Sequence, residues 1–298
     1  MRKLRVIMID AFKPKYLKHA PYLSSLTEKF QWGELEMPVG HEGGVETVFS
    51  GDSDKLALFY KKENSSLRVV RGFTFLDKFG NGGRFILDCL INFFRFLKGH
   101  ELFRTGKIPM QELWKFDFSV RKPLYKSANM EFKYFDELDK VGHKFGTKGK
   151  EIISAIKKID RKLEKQNFDL IFSDHGMIDI EKIVSVPRIK DCFIDSDMAR
   201  YWGEKEELEK IKKELPLKDG KIVNWNNKMY GQLIFVANPG ILILPNFWQG
   251  HEEVKAMHGY FGKHEEMKGI YILRKNGKRK DINAKDLHQI LQEIKNGK

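Results

Sequence analysis

The sequence predicts an α/β protein with a mostly parallel central sheet and helices on both faces. Two observations carry that prediction. Short apolar runs of strand length alternate with longer segments of helical spacing, the pattern of a parallel sheet with crossover helices. Two of the runs also end directly in charged, ligand-type side chains: Asp10 after the first, and Asp174-His175 after Phe168–Phe172. Open α/β sheets gather their ligands outside the carboxyl ends of the strands.

The elements follow in order. Residues 3–9 read as a buried strand and 21–30 as an amphipathic helix. Leu35–Val39 reads as a second strand. The turn Gly40-His41-Glu42-Gly43-Gly44 leads into a helix that runs through Phe49. Residues 52–130 are less regular and hold the apolar stretch Phe85–Leu97. Met130–Phe135 is strand-like. In 147–166 the residues Ile152, Ile153, Ile156, Ile159 and Leu163 form one apolar stripe with lysines elsewhere, which predicts a helix. Phe168–Phe172, Ile241–Leu244 and Ile270–Leu273 read as strands, with helices over 204–214 and 284–295. There is no internal repeat.

With 298 residues, 41% of them hydrophobic and 32% charged, the chain is globular rather than disordered. No apolar run approaches the roughly 20 residues of a membrane span. Asp88 and Arg95 interrupt 85–97, which predicts a buried or interfacial helix. The first apolar run leads straight to Asp10, so no secretory signal is expected. Cys89 and Cys192 lie far apart without metal-type spacing, as in a reducing, cytoplasmic setting. The net charge of +13 favours polyanionic partners or phosphorylated substrates, against a plain lysine-rich solvated surface. No zinc finger, RNA-recognition signature or basic heptad supports nucleic-acid binding. Oligomeric state is open.

Six side chains form the candidate metal set: Asp10, Asp139, His143, Asp174, His175 and His258. Carboxylates and imidazoles are what zinc and related divalent cations prefer. Two metals sharing them would clamp the attacking and leaving oxygens of a phosphoryl displacement. Each has a plainer reading: Asp10 as a cap, Asp139 and His143 as a solvated i, i+4 pair, Asp174-His175 as a turn, His258 as a loop histidine. The glycine between Asp139 and His143 counts against an uninterrupted helix there.

Four strings, in order along the chain, resemble the type I phosphodiesterase/nucleotide pyrophosphatase family of the alkaline phosphatase superfamily. They are Val6-Ile7-Met8-Ile9-Asp10-Ala11, with Ala20-Pro21-Tyr22-Leu23 after it; Asp139-Lys140-Val141-Gly142-His143; Ser173-Asp174-His175-Gly176-Met177; and Met257-His258-Gly259-Tyr260. The resemblance implies an alkaline phosphatase-like domain over 1–298, with 184–247 an inserted substrate-selecting subdomain. It implies a phosphodiesterase with two zinc ions, Asp139, His143 and His258 holding one and Asp10, Asp174 and His175 the other. Its substrate would be a small phosphorylated molecule. Within 193–202, similar to a prokaryotic branch of the family, Asp197 and Arg200 are candidate substrate contacts; the alternative is a packed aromatic cap.

One family feature is missing. The threonine or serine nucleophile falls on His41, or on Glu42 if shifted by one, and neither bears a hydroxyl. Thr47 does, but at least a full turn inside the helix. His41 could itself be the nucleophile. His41 or Glu42 could be the base for an attacking water. Or the chain could retain metal and ligand binding without catalysis. The rival activities are a phosphomonoesterase or a phosphoryl-transfer enzyme. Asp52-Ser53-Asp54 also stands where the family has a proline-histidine-glycine stretch, so nucleotide specificity does not carry over.

Overall fold

The run Leu4–Ile9 (β1) is apolar at successive positions, and a strand like that must be covered on both faces. The computed structural model, which describes residues 3–40, 43–51, 56, 72, 73, 75, 76, 78–97 and 130–295, puts it between two parallel neighbours. These are Met130–Phe135 (β3) and Leu170–Phe172 (β4), with Met8 paired to both Tyr134 and Phe172. Gly269–Leu273 (β13) continues the sheet antiparallel to β4. Gln31–Glu36 (β2) and Ile282–Asn283 (β14) complete the order β14-β2-β13-β4-β1-β3. Of the strands described in this sheet, β13 alone runs against the rest, so the sheet is mostly parallel as expected.

Its two faces are separate cores. Ile7, Ile9, Ile171, Ile270 and Ile272 point one way. They meet the helices Pro21–Lys29 (α1), Glu137–Phe145 (α4) and Lys150–Leu163 (α5) through Leu23, Leu138, Ile156 and Ile159. Val6, Met8, Leu170, Phe172 and Tyr271 point the other way, onto Gly43–Ser50 (α2) and Ala284–Lys295 (α7). This is period-2 alternation along each strand, with apolar residues on both sides.

The stripe read over 147–166 is α5, and the closing helix is α7. Two readings are corrected. The second strand is Gln31–Glu36 rather than Leu35–Val39. The ladder to β13 sets its register, pairing Trp32 with Ile272 and Leu35 with Gly269. Pro38, which lacks a backbone donor, already lies outside it. Gly142 does not interrupt α4. A Cβ there would lie 2.3 Å from Sδ of Met177, so the glycine lets the helix cross that side chain closely.

The apolar stretch 85–97 lies in an 18-residue helix, Gly80–Leu97 (α3). Among the described residues no helix is long and apolar enough to cross a membrane. A second, antiparallel sheet is formed by Cys192–Ile194 (β7), Met198–Tyr201 (β8), Gly220–Val223 (β9) and Leu233–Ala237 (β10), in the order β7-β8-β10-β9, and Lys182–Val184 (β6) pairs in parallel with Ile241–Ile243 (β11). Between β8 and β9 lies the charged helix Lys205–Glu214 (α6). Its core, with Tyr201, Ile211 and Phe235, continues into Met257, Tyr260 and Met267. Both cysteines are free thiols.

Candidate metal centre

Asp10 follows the last residue of β1, and its N–H donates to the Phe135 carbonyl at 2.9 Å, extending the β1–β3 ladder by one step. The next residue, Ala11, has φ 58°, the one non-glycine with positive φ among the described residues. Such strain collects where a site requires a sharp exit from a strand. The Ser173 Oγ ties this turn to the one after β4. It accepts from the Phe12 N–H at 2.8 Å and donates to the His175 carbonyl at 2.9 Å. Gly176 makes that second turn possible, because a Cβ there would lie 2.1 Å from the Glu266 carbonyl oxygen.

Asp139 and His143 lie one turn apart on α4, directly after β3. Their side chains meet, Nε2 to Oδ1, at 3.2 Å. His258 follows Ala256–Met257 (β12), a strand paired with Ile178–Asp179 (β5). It reaches Asp139 Oδ1 at 3.5 Å and stacks on His175 with ring centres 3.7 Å apart. His175 Nε2 lies 3.2 Å from Asp10 Oδ1 and 3.4 Å from Asp174 Oδ2. All six candidate ligands, drawn from distant stretches of chain, therefore stand in one cluster. Two sets have ligand atoms within 4.8 Å of one another: Asp10, Asp174 and His175, and Asp139, His175 and His258. The first is the trio expected from the sequence. In the second, His175 stands where His143 was expected, and His143 flanks it through Asp139.

The donor chemistry fits divalent cations. Atoms about 2.0–2.1 Å from one tetrahedral cation lie roughly 3.3–3.4 Å apart, the spacing seen between these nitrogens and oxygens. The Nδ1 of His143 faces the Ala256 carbonyl at 2.8 Å and that of His175 faces the Gly176 carbonyl at 2.9 Å. In the tautomer that donates there, each Nε2 lone pair points at the cluster, the second-sphere arrangement of metal-bound histidine. Oδ1 of Asp174 is buried with no hydrogen-bond partner among the described residues. Burial, with Asp10 and Asp139 close by, pushes the Asp174 carboxyl well above its ordinary range. Burial raises Asp10 as well, partly offset by His175. Crowded, desolvated carboxylates of this kind are stable as anions only with cations between them.

A cleft beside the cluster is lined by Met37, Pro38, Gly40, Val45, Asp174, His175, Gly259 and Tyr260, among others. The Gly40 N–H donates to the Gly259 carbonyl at 2.8 Å, holding the start of the turn against the loop that carries His258. His41 and Glu42 lie outside the described residues, as does most of 52–130. Thr47 is buried in the second turn of α2. Arg200 is buried on β8 and Asp197 in the turn that precedes it, and neither lines the cleft. Arg200 sits over the Phe193 and Trp202 rings and donates to the Tyr230 carbonyl.

Tyr134 escaped the sequence reading. Its hydroxyl donates to Asp10 Oδ2, and burial followed by the charge of Asp10 raises its pKa. Its position at the carboxyl end of the strand beside β1 was the available signal. Lys13 was missed too; it is buried, bonding Glu266 and the Met177 carbonyl.

The type I phosphodiesterase/nucleotide pyrophosphatase family model matches residues 109–211, a span containing Asp139, His143, Asp174 and His175. Murine ectonucleotide pyrophosphatase/phosphodiesterase 5 shares the fold with TM-score 0.69 at 17% identity, over 99% of this chain and 95% of that one. The human protein gives 0.68 at 14% identity with the same coverage. An inactive variant of the murine protein in complex with AMP gives 0.66 at 16% identity, again over 99% and 95%. The chain thus resembles the type I phosphodiesterase/nucleotide pyrophosphatase family in sequence over 109–211 and shares the alkaline phosphatase-like fold of these structures along its length.

Proposed function

We propose that this chain is a metal-dependent phosphoric ester hydrolase, a phosphodiesterase working with two zinc ions on a small phosphorylated substrate. The observation that carries the reading is the convergence of Asp10, Asp139, Asp174, His143, His175 and His258 at the carboxyl end of the sheet. When bound, the cations would polarise the phosphoryl oxygens and assist the attacking group. The residues of the chain hold and orient: Tyr134 fixes Asp10, the Ala256 and Gly176 carbonyls fix two imidazoles, and the cleft walls from Gly40 and Tyr260 confine the ester. Gly40 and Val45 flank His41 and Glu42 in sequence and line that cleft, which favours this turn as the source of the attacking group or its base. The net charge of +13 would steer an anionic ester. The 184–247 segment is proposed to select the substrate and the cytoplasm to be the setting.

The second reading is a metal-bound module that binds a phosphorylated ligand without cleaving it. The absent hydroxyl favours it, as does the inactive variant of the murine relative, which still holds AMP. The two readings separate on zinc-loaded protein offered bis-(p-nitrophenyl) phosphate and p-nitrophenyl phosphate. Faster turnover of the diester supports the phosphodiesterase and faster turnover of the monoester a phosphomonoesterase. Binding of AMP with no turnover of either supports the module. Asp174→Ala should lower metal content in elemental analysis and abolish turnover; unchanged zinc content refutes the assignment. Full activity in His41→Ala removes His41 as nucleophile or base.

A further inference from the structure

α3 is inside out. An amphipathic helix on a water-soluble protein turns its charges to solvent and its apolar stripe to the core. Here Arg84, Asp88, Asn92 and Arg95 share the buried or half-buried side of the helix with Leu87 and Ile91. The outward side carries Phe85, Ile86, Leu90, Phe93, Phe96 and Leu97, each between 36% and 73% exposed. At 100° per residue these six fill one continuous arc of about 140°, with no charged side chain in it. The helix of 18 residues runs about 27 Å, long enough to lie along a surface.

The chemistry of the arc selects its occupant. A protein partner needs about one hydrogen bond per 100–200 Å² of interface, and this arc offers no hydroxyl, amide or charged group. Lipid makes no such demand. The sequence next to the helix carries more positive than negative charge. Lys78 is exposed just before it, next in sequence to Asp77, and Lys98, Arg104 and Lys107 follow in the sequence against Glu101, in a chain of net charge +13. An apolar face with cationic flanks, on a helix that cannot span a bilayer, matches an interfacial anchor. We propose that α3 docks this protein on an anionic lipid surface, lying in the membrane plane with Phe85, Phe93 and Phe96 at the boundary between head groups and acyl chains. This assignment stands apart from the hydrolase reading.

The test uses the full, zinc-loaded chain and vesicles of phosphatidylcholine with or without phosphatidylserine. Co-sedimentation with the phosphatidylserine vesicles, weakened by salt, is expected. Phe93→Trp should add to the emission of the five native tryptophans a component, read as the difference from the parent chain, that shifts to the blue on those vesicles and is quenched by brominated acyl chains. Phe85→Ser and Phe96→Ser should each weaken vesicle binding by about tenfold, with far-UV circular dichroism unchanged. Absence of sedimentation with the anionic vesicles, or an unquenched Phe93→Trp emission, overturns the proposal. So does a chain that binds no vesicle but sediments as a dimer, and as a monomer once Phe85 and Phe96 are replaced; the face then belongs to a second copy.

Discussion

The Tyr134 hydroxyl and Asp10 show what a single side chain contributes to this cluster. Asp10 turns one oxygen to His175 and the other to Tyr134, so the phenol fixes the carboxylate rotamer. Removing that hydroxyl in Tyr134→Phe keeps the ring and the strand, and leaves Asp10 free to swing. The affinity for the cation held by Asp10, Asp174 and His175 is expected to fall by about 10- to 100-fold, the usual effect of losing a second-sphere partner. Competition with a chromophoric chelator measures it; an unchanged affinity would make the bond incidental. Asp10, Asp174 and His175 were legible in the sequence because each stands directly after an apolar run, where core side chains give way to solvent and ligands. Tyr134 was not. A tyrosine in a strand is ordinarily part of the packing, and nothing in the one-dimensional pattern shows that its hydroxyl, rather than its ring, meets the neighbouring strand.

Helix α1 is closed by another helix instead of by its own cap. It begins at Pro21, and its first free backbone donors, Tyr22 N–H and Leu23 N–H, both reach the buried carboxylate of Asp160 on α5, at 3.0 and 2.9 Å. The same pair of bonds joins the two helices over the face of β1. Asp160→Ala should therefore destabilise the fold by about 1–3 kcal/mol, as the loss of a cap that leaves buried donors unsatisfied. A lower urea midpoint with an unchanged slope reports this, whereas an unshifted midpoint would show that water replaces the carboxylate freely. The periodicity of α5 was plain from its isoleucine stripe. The role of Asp160 was hidden, since a charged residue within that stripe looks like a solvated position until α1 is laid against it. The course of α4 was hidden for a related reason. Gly142 lowers helix propensity locally, but the crossing over Met177 demands it, and tertiary packing overrides propensity. The short strands of the second sheet, three to five residues each, carry too little alternation to be read alone.

At the scale of the whole molecule, the six-residue cluster joins β1, the turn after β4, α4 and the loop after β12, so cations bound there would fasten distant stretches of the chain. Their removal leaves desolvated carboxylates facing one another, and the pKa directions fix the sign of the consequence. Asp10 and Asp174 are both raised in the folded state. Between the ordinary carboxylate value and the raised one, the folded chain binds more protons than the unfolded chain. Stability of the metal-free protein from this source is therefore fully present below about pH 4 and lost as pH rises through the raised values. Carboxylates lowered by cationic partners, Glu137, Glu266 and Asp281, act in the opposite sense and lose their contribution on acidification. The net curve of the chelated protein thus mixes both, and a variant isolates the cluster. Asp174→Asn removes one raised group while keeping its shape, so the metal-free variant should melt higher than the metal-free parent at pH 8 and close to it at pH 4. With zinc present the order should reverse at pH 8, because binding to the folded state stabilises only the chain that still offers all its ligands. Thermal melts with and without chelator at the two pH values measure this. A metal-free parent that melts as high as its Asp174→Asn variant at pH 8 would show that the carboxylates are not strained against one another, and the electrostatic case for cations between them would fail.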